Sequence, residues 1–138
     1  MDGINLVQQF NGKKLLFIED EHFISELYIR ALTKAGYDVK LVIDGNEALK
    51  EAQSDAYDII LLDIMIPNLI GTDVLKALHD PAGNKTIKAK IIITTNLEQD
   101  DAGRAAIENL ADGYVVKAEI TPRQLVEFLA QLDTNTSA

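Results

Sequence analysis

The fold is decided by the stretch Ile59-Ile60-Leu61-Leu62-Asp63-Ile64-Met65-Ile66-Pro67-Asn68-Leu69-Ile70-Gly71. Its first four residues are apolar without alternation, which predicts a short strand buried on both faces, as in a parallel sheet. Pro67 fixes φ and has no N–H to donate, and Gly71 can adopt a left-handed conformation, so a loop is expected after the strand. Asp63 is therefore predicted to lie at the carboxyl end of a buried strand.

Short apolar runs alternate with helical patterns on both sides of this stretch. Four further strands are predicted at residues 14–18, 39–43, 91–94 and 113–116. Helices are predicted from residue 23 to a C-cap at Gly36, from a capping box at Asp44 to residue 52, from a cap at Thr72 to residue 78, at 102–109, and from Thr121 to residue 132. Alternating strands and helices predict an α/β fold: a doubly wound, five-stranded parallel sheet in the flavodoxin-like order 2-1-3-4-5, with helices on both faces.

Length and composition predict one domain. Of the 138 residues, 1–12 are expected to form a short leader, 13–133 the domain and 134–138 a disordered tail, the disorder beginning near Asp133. The net charge of −9 argues against direct nucleic-acid binding. The absence of cysteine fits a cytoplasmic protein, and the sequence contains neither a signal peptide nor a membrane-spanning apolar run.

Four of the predicted strands are followed by reactive side chains. Glu19 and Asp20 follow the first strand, Asp63 the third, Thr95 the fourth and Lys117 the fifth. Taken singly, such residues are typical of helix starts, turns or the surface. In the order 2-1-3-4-5, however, all of these strand ends open on one crevice, where ligands bind in this topology.

These segments together resemble the receiver domain of two-component response regulators, the fold shared with the chemotaxis signalling protein. The resemblance covers about residues 13 to 133 and is carried by four signatures in order: Leu-Phe-Ile-Glu19-Asp20-Glu21, Leu-Leu-Asp63-Ile-Met-Ile-Pro67 with Gly71, Ile-Ile-Ile-Thr94-Thr95, and Gly113-Tyr114-Val-Val-Lys117. It implies that Asp63 is the phosphoacceptor, that Glu19 and Asp20 are the acidic pair for Mg²⁺, and that Lys117 contacts the phosphoryl group. It also implies a switch made of Thr95 and Tyr114.

The residue types suit that chemistry. Mg²⁺ prefers hard oxygen ligands, so Asp20 and Asp63 are expected to bind it directly, Glu19 through water and Met65 through its backbone carbonyl. Lys117 would supply a point charge to the phosphoryl oxygens.

The proposed switch involves the ends of the fourth and fifth strands. A hydrogen bond from Thr95 to the phosphoryl group would draw that side chain inward and leave room for Tyr114 to become buried. Spacing from Lys117 favours Thr95, with Thr94 as the alternative.

Two positions depart from the family pattern. Receivers usually carry a proline after the lysine, where this sequence has Ala118, so the loop after the fifth strand is expected to differ. Leu97 stands where polar groups are common in the family. We expect Met65 and Leu97 to tune dephosphorylation, Leu97 by hindering water.

The sequence-based interpretation is a stand-alone, non-enzymatic receiver that is a monomer or weak homodimer. Resemblance implies a histidine kinase or phosphotransfer protein upstream and a protein target downstream, contacted through the fourth predicted helix (102–109), the fifth strand and the last helix.

Two alternatives stay open. One is a pseudo-receiver that binds partners without phosphorylation. The other is a haloacid-dehalogenase-like phosphotransferase. Members of that family carry a second Asp, acting as acid or base, two residues after the nucleophilic Asp, and Met65 at this position disfavours that alternative.

Overall fold

A computed structural model describes residues 12–64, 71–95, 105 and 107–136. Its strands are β1 (Lys14–Ile18), β2 (Asp38–Val42), β3 (Ile59–Asp63), β4 (Lys90–Thr95) and β5 (Gly113–Val116). Its helices are α1 (His22–Lys34), α2 (Gly45–Gln53), α3 (Gly71–Ala77) and α4 (Pro122–Thr136), and a 3-10 turn occupies Lys117–Glu119. Of the helix predicted at 102–109, the described residues Ala105, Ile107 and Glu108 are helical.

The five strands form one parallel sheet in the order β2-β1-β3-β4-β5, which confirms the predicted fold class. The central strand β3 is buried along its whole length, as its unbroken apolar run predicted. Because β3 pairs with β1 on one side and β4 on the other, the carboxyl ends of these three strands lie next to one another.

The two faces of the sheet pack against different helices. Side chains alternate between faces along a strand. Phe17, Leu61 and Ile92 pack with residues of α1 and α4. Ile18, Leu62 and Ile93, one residue further along, pack with residues of α2 and α3. The side on which a strand residue lies therefore follows from its position relative to these core residues.

Local sequence determines several helix ends. Helix α1 ends in a Schellman motif, in which Gly36 has φ +100° and Tyr37 donates its backbone N–H to Leu32 O at 3.1 Å. Helix α4 begins with a reciprocal capping box: Gln124 N donates to Thr121 Oγ1 at 3.1 Å, and Thr121 N donates to Gln124 Oε1 at 2.8 Å. Both features were predicted from the sequence.

Several predicted boundaries need correction, most of them by one or two residues. Helix α3 begins at Gly71, one residue before the cap predicted at Thr72, and β2 is shifted one residue toward the N-terminus. Helix α4 continues to Thr136, so disorder from Asp133 is wrong for residues 133–136. An established helix gains a hydrogen bond for each residue added, which outweighs the weak propensities of Asp, Thr and Asn here.

Among the described helices, none has the length and apolar character that a membrane span needs.

Candidate functional site

Three carboxylates meet where β1 and β3 end. Glu19 and Asp20 follow β1, Asp63 ends β3, and each offers a carboxylate oxygen within 4.8 Å of the others. Glu19 is fully buried and Asp63 is 5% exposed, whereas Asp20 lies at the surface. The pairing of β1 with β3 brings these residues together although 44 positions separate Glu19 from Asp63.

Lys117 supplies the positive charge beside this cluster. Its Nζ lies 2.5 Å from Glu19 Oε1 and 3.5 Å from Asp63 Oδ2, and the lysine side chain is almost wholly buried. Glu19 also accepts a hydrogen bond from the backbone N–H of Glu21 at 3.2 Å through its other oxygen. Burying charged groups is tolerated only when they are paired in this way. The shorter contact shows that Lys117 is held mainly by Glu19.

The donor set fits a hard divalent cation. Three ionised carboxylates and one ammonium leave a formal charge of −2, which a divalent ion would neutralise. All three acidic side chains offer oxygen, which Mg²⁺ prefers, and the exposure of Asp20 leaves a path from solvent. Residues Glu19, Asp20 and Asp63 are therefore suited to hold Mg²⁺.

Gly71 fixes the backbone next to Asp63. A Cβ at Gly71 would lie 2.4 Å from Asp63 O and 2.6 Å from Ile64 Cα. The N–H of Gly71 donates to Ile64 O at 2.6 Å, which joins the start of α3 to the end of β3. The left-handed conformation expected for Gly71 is absent, since the positive-φ glycines in the described part of the chain are Gly12, Gly36 and Gly83. Close backbone approach is what requires glycine here.

Thr94 and Thr95 lie on opposite faces of the sheet. Thr95 is 2% exposed and shares the α2 and α3 side with Ile93. Tyr114 packs against that same core, and its hydroxyl is buried. Thr94 shares the α1 and α4 side with Ile92 and is the register partner of Asp63. The alternatives for the switch hydroxyl are thus separated by the sheet, with Thr95 on the side of Tyr114.

Three further positions singled out in the sequence are Met65, Leu97 and Ala118. Met65 and Leu97 lie outside the described residues. Ala118 lies within the 3-10 turn Lys117–Glu119, and the described peptide bonds are all trans, so the loop takes this form without the family's proline.

Sequence reasoning missed Tyr28 of α1 as a neighbour of the site. Its hydroxyl donates to Ile120 O at 3.0 Å, which ties α1 to the segment after Lys117. Burial raises the pKa of Tyr28, while the charge of Lys117 lowers it and that of Glu19 raises it. The available signal was a tyrosine in the apolar stripe of α1, since a buried tyrosine hydroxyl needs a hydrogen-bond partner.

Comparison with known families agrees with this arrangement. The family model described as the response regulator receiver domain matches residues 15–130, which is most of the chain. This chain belongs to the response regulator receiver family. Receivers are non-enzymatic signalling domains of two-component systems, and the acidic cluster lies where the fold brings the ends of β1 and β3 together.

Curated relatives of this receiver include regulators of transcription. It is 34% identical over 114 residues to the alkaline phosphatase synthesis transcriptional regulatory protein PhoP of Bacillus subtilis, a match covering 83% of this chain and 45% of PhoP. It is 35% identical over 121 residues to the transcriptional regulatory protein CusR of Escherichia coli, covering 88% of this chain and 50% of CusR. The receiver thus spans about half the length of the curated relatives it matches.

Solved structures give the same fold over nearly their whole length. The chemotaxis response regulator CheY4 of Vibrio cholerae is 27% identical, with a TM-score of 0.73 covering 87% of this receiver and 98% of CheY4. The receiver domain of the Francisella response regulator 1452 is 26% identical, with a TM-score of 0.76 covering 91% and 99% of the two chains.

Proposed function

We propose that this receiver accepts a phosphoryl group on Asp63 from a phosphorylated histidine of a kinase or phosphotransfer protein. The observation that carries the proposal is the placement of the Asp63 carboxylate, which lies at a strand end beside two further acids and 3.5 Å from the Lys117 ammonium. The family membership supports the same reaction.

The transfer would form a bond between an Asp63 carboxylate oxygen and phosphorus while the phosphorus–nitrogen bond of the donor breaks. The electron pair of the broken bond stays on the imidazole of the donor, so no oxidant or reductant is needed. Bound Mg²⁺ would neutralise negative charge between the acids and the phosphoryl oxygens. Glu19 and Asp20 would hold that ion with Asp63, and Lys117 would exchange part of its contact with Glu19 for a phosphoryl oxygen.

The signal would leave through Thr95 and Tyr114. Thr95 is buried at the end of β4, and Tyr114 packs on the same side of the sheet in β5. A hydrogen bond from the Thr95 hydroxyl to the phosphoryl group would shift this edge of the sheet. The side chain of Tyr114 would change position in response, and this would alter the surface that it forms with α4 and the helix near residue 107. A downstream protein is the partner that we propose for this surface.

Intact-mass spectrometry after incubation with acetyl phosphate and Mg²⁺ tests the phosphoacceptor. The wild-type protein should gain one phosphoryl group, and Asp63→Asn should gain none because an amide cannot form the acyl phosphate. Chelation of the metal should abolish the adduct on the wild type. Asp58→Asn is a matched control, since this carboxylate lies at the opposite end of β3 and accepts a hydrogen bond from Lys14 N. It should still be phosphorylated.

Beryllofluoride, which mimics the phosphoryl group, gives a second measurement. If the wild type gains no adduct and beryllofluoride with Mg²⁺ leaves the NMR signals of Tyr114 unchanged, phosphorylation at Asp63 is refuted. The pseudo-receiver, which binds partners constitutively, would then be the better interpretation.

A further inference from the structure

The hydroxyl of Thr94 is a buried polar group that the proposed reaction does not use. Thr94 is 3% exposed, and its Oγ1 makes no hydrogen bond with any part of the chain that the structure describes. Leaving such a group unpaired is costly, and buried hydroxyls are paired in the large majority of cases. Valine has nearly the same shape and would fill this position without that cost. The presence of a hydroxyl group at this buried position therefore calls for an explanation.

Thr94 lies on the same side of the sheet as Asp63 and Lys117, two of the residues that would contact the phosphoryl group. It pairs in register with Asp63 on one side and with Val115 on the other. Lys117 follows Val115 by two residues, so its side chain leaves the backbone toward the same face. Thr94 and Lys117 also line one cavity of about 10 Å³, together with Tyr28.

That cavity provides room for adjustment. At about 10 Å³ it is at the lower limit of the space that one water occupies, and most of its other walls are apolar, including Phe17 and Leu125. It is better suited to a change of side-chain rotamer than to a bound ligand. Small movements of the Thr94 hydroxyl and of the Lys117 methylene groups can take place there without displacing the core.

The ammonium of Lys117 has three N–H donors. In the structure it contacts Glu19 at 2.5 Å and Asp63 at the longer distance of 3.5 Å. These two contacts leave one of the three donors over, and movement of the ammonium toward a phosphoryl group on Asp63 would further weaken its contact with Glu19. Thr94 is the register partner of Asp63 and lines the same small cavity as Lys117, so its unpaired hydroxyl is a candidate acceptor for such a donor.

We propose that Thr94 is a positioning residue for Lys117: its hydroxyl oxygen accepts a hydrogen bond from the Lys117 ammonium in the phosphorylated state. The proposal rests on the proposed function of Asp63 and adds a residue to it. The unpaired hydroxyl would destabilise the unphosphorylated state and become paired in the phosphorylated one, which shifts the equilibrium toward the latter.

Two variants of Thr94 separate this role from a purely structural one. Thr94→Val keeps the shape and removes the hydroxyl, so the unphosphorylated protein should unfold at an equal or higher urea concentration than the wild type. Thr94→Ser keeps the hydroxyl and removes a buried methyl group, so it should unfold at a lower concentration. A structural role predicts that ligand affinity follows the same order as stability.

The affinity for beryllofluoride in the presence of Mg²⁺, measured by isothermal titration calorimetry, should follow the opposite order. We expect Thr94→Val to bind about tenfold or more weakly than the wild type, since it loses one hydrogen bond to a charged group. Thr94→Ser should bind within about threefold of the wild type. Thr86→Val is a control: this hydroxyl donates to Leu78 O at 2.9 Å in the loop before β4, so its loss should lower stability without changing affinity.

A directly observed signal completes the test. In protein with ¹⁵N-labelled lysine, the Nζ resonance of Lys117 should move on adding beryllofluoride, and Thr94→Val should alter the bound-state position only. Equal affinities of wild type and Thr94→Val, or an unchanged bound-state resonance, would overturn the role of Thr94 alone. Failure of the wild type itself to bind would overturn the proposed function and this role together, and the urea midpoints would still show whether the hydroxyl is unpaired.

Discussion

Replacing Gly71 by alanine tests the close contact between α3 and the end of β3. The added methyl group would lie 2.4 Å from Asp63 O, 2.6 Å from Ile64 Cα and 2.7 Å from Ile64 O. All three are backbone atoms, so no change of side-chain rotamer can relieve the overlap. The contact with Asp63 O alone must lengthen by about 1 Å to reach the ordinary range, which begins at 3.4 Å.

The cost can be built from its parts. Overpacking of this kind costs about 1–3 kcal/mol. Displacing α3 also weakens the 2.6 Å hydrogen bond from Gly71 N to Ile64 O, worth about 1 kcal/mol. Alanine recovers up to about 1 kcal/mol of conformational free energy. We expect a net loss of about 1–4 kcal/mol in the free energy of unfolding, or roughly 3–12 °C in Tm for a domain of this size.

Urea unfolding followed by far-UV circular dichroism measures this loss, with Gly113→Ala as the matched control. A Cβ at Gly113 would meet Ile92 Cδ1 and Phe128 Cζ, each at 3.0 Å, and both atoms are ends of side chains that can move. We expect the control to lose about 1 kcal/mol or less. If Gly71→Ala unfolds at the wild-type urea concentration, or if the two variants lose the same free energy, close backbone approach is not what requires glycine at position 71.

Two further predictions concern tyrosines. Burial, with the hydrogen bond to Glu51 at 2.8 Å, raises the pKa of Tyr57 to about 12, so the stability that this phenol contributes is present below pH 10 and lost as the pH rises from 10 through 12. Tyr57→Phe should therefore lose stability less steeply than the wild type across that range, and parallel curves in urea titrations would contradict the assignment. Tyr28→Phe removes the hydrogen bond to Ile120 O and should lower the free energy of unfolding by about 1 kcal/mol. It should also slow phosphoryl uptake from acetyl phosphate because the turn that carries Lys117 is less firmly held, and an unchanged rate would show that the tether does not position that lysine.

Much of the fold could be predicted because local chemistry is decisive in several places. The unbroken apolar run before Asp63 predicted a strand buried on both faces, and it is the central strand. Gly36 predicted the end of α1 and Thr121-Pro122-Arg123-Gln124 the start of α4, since each supplies the hydrogen bonds or the backbone conformation that a helix end needs. The end of α4 was not predictable in this way, because tail residues with weak propensities can extend an existing helix.

The sequence by itself determined which residue types follow each strand, and the order of strands and helices then placed Glu19, Asp20, Asp63 and Lys117 at one edge of the sheet. Only the tertiary structure decided how they are paired. It showed that Lys117 is held more closely by Glu19 than by Asp63, that Thr95 rather than Thr94 lies on the side of Tyr114, and that Gly71 is required by backbone contact. Distances between side chains from different strands depend on register and packing across the whole sheet, and no local pattern in the sequence encodes them.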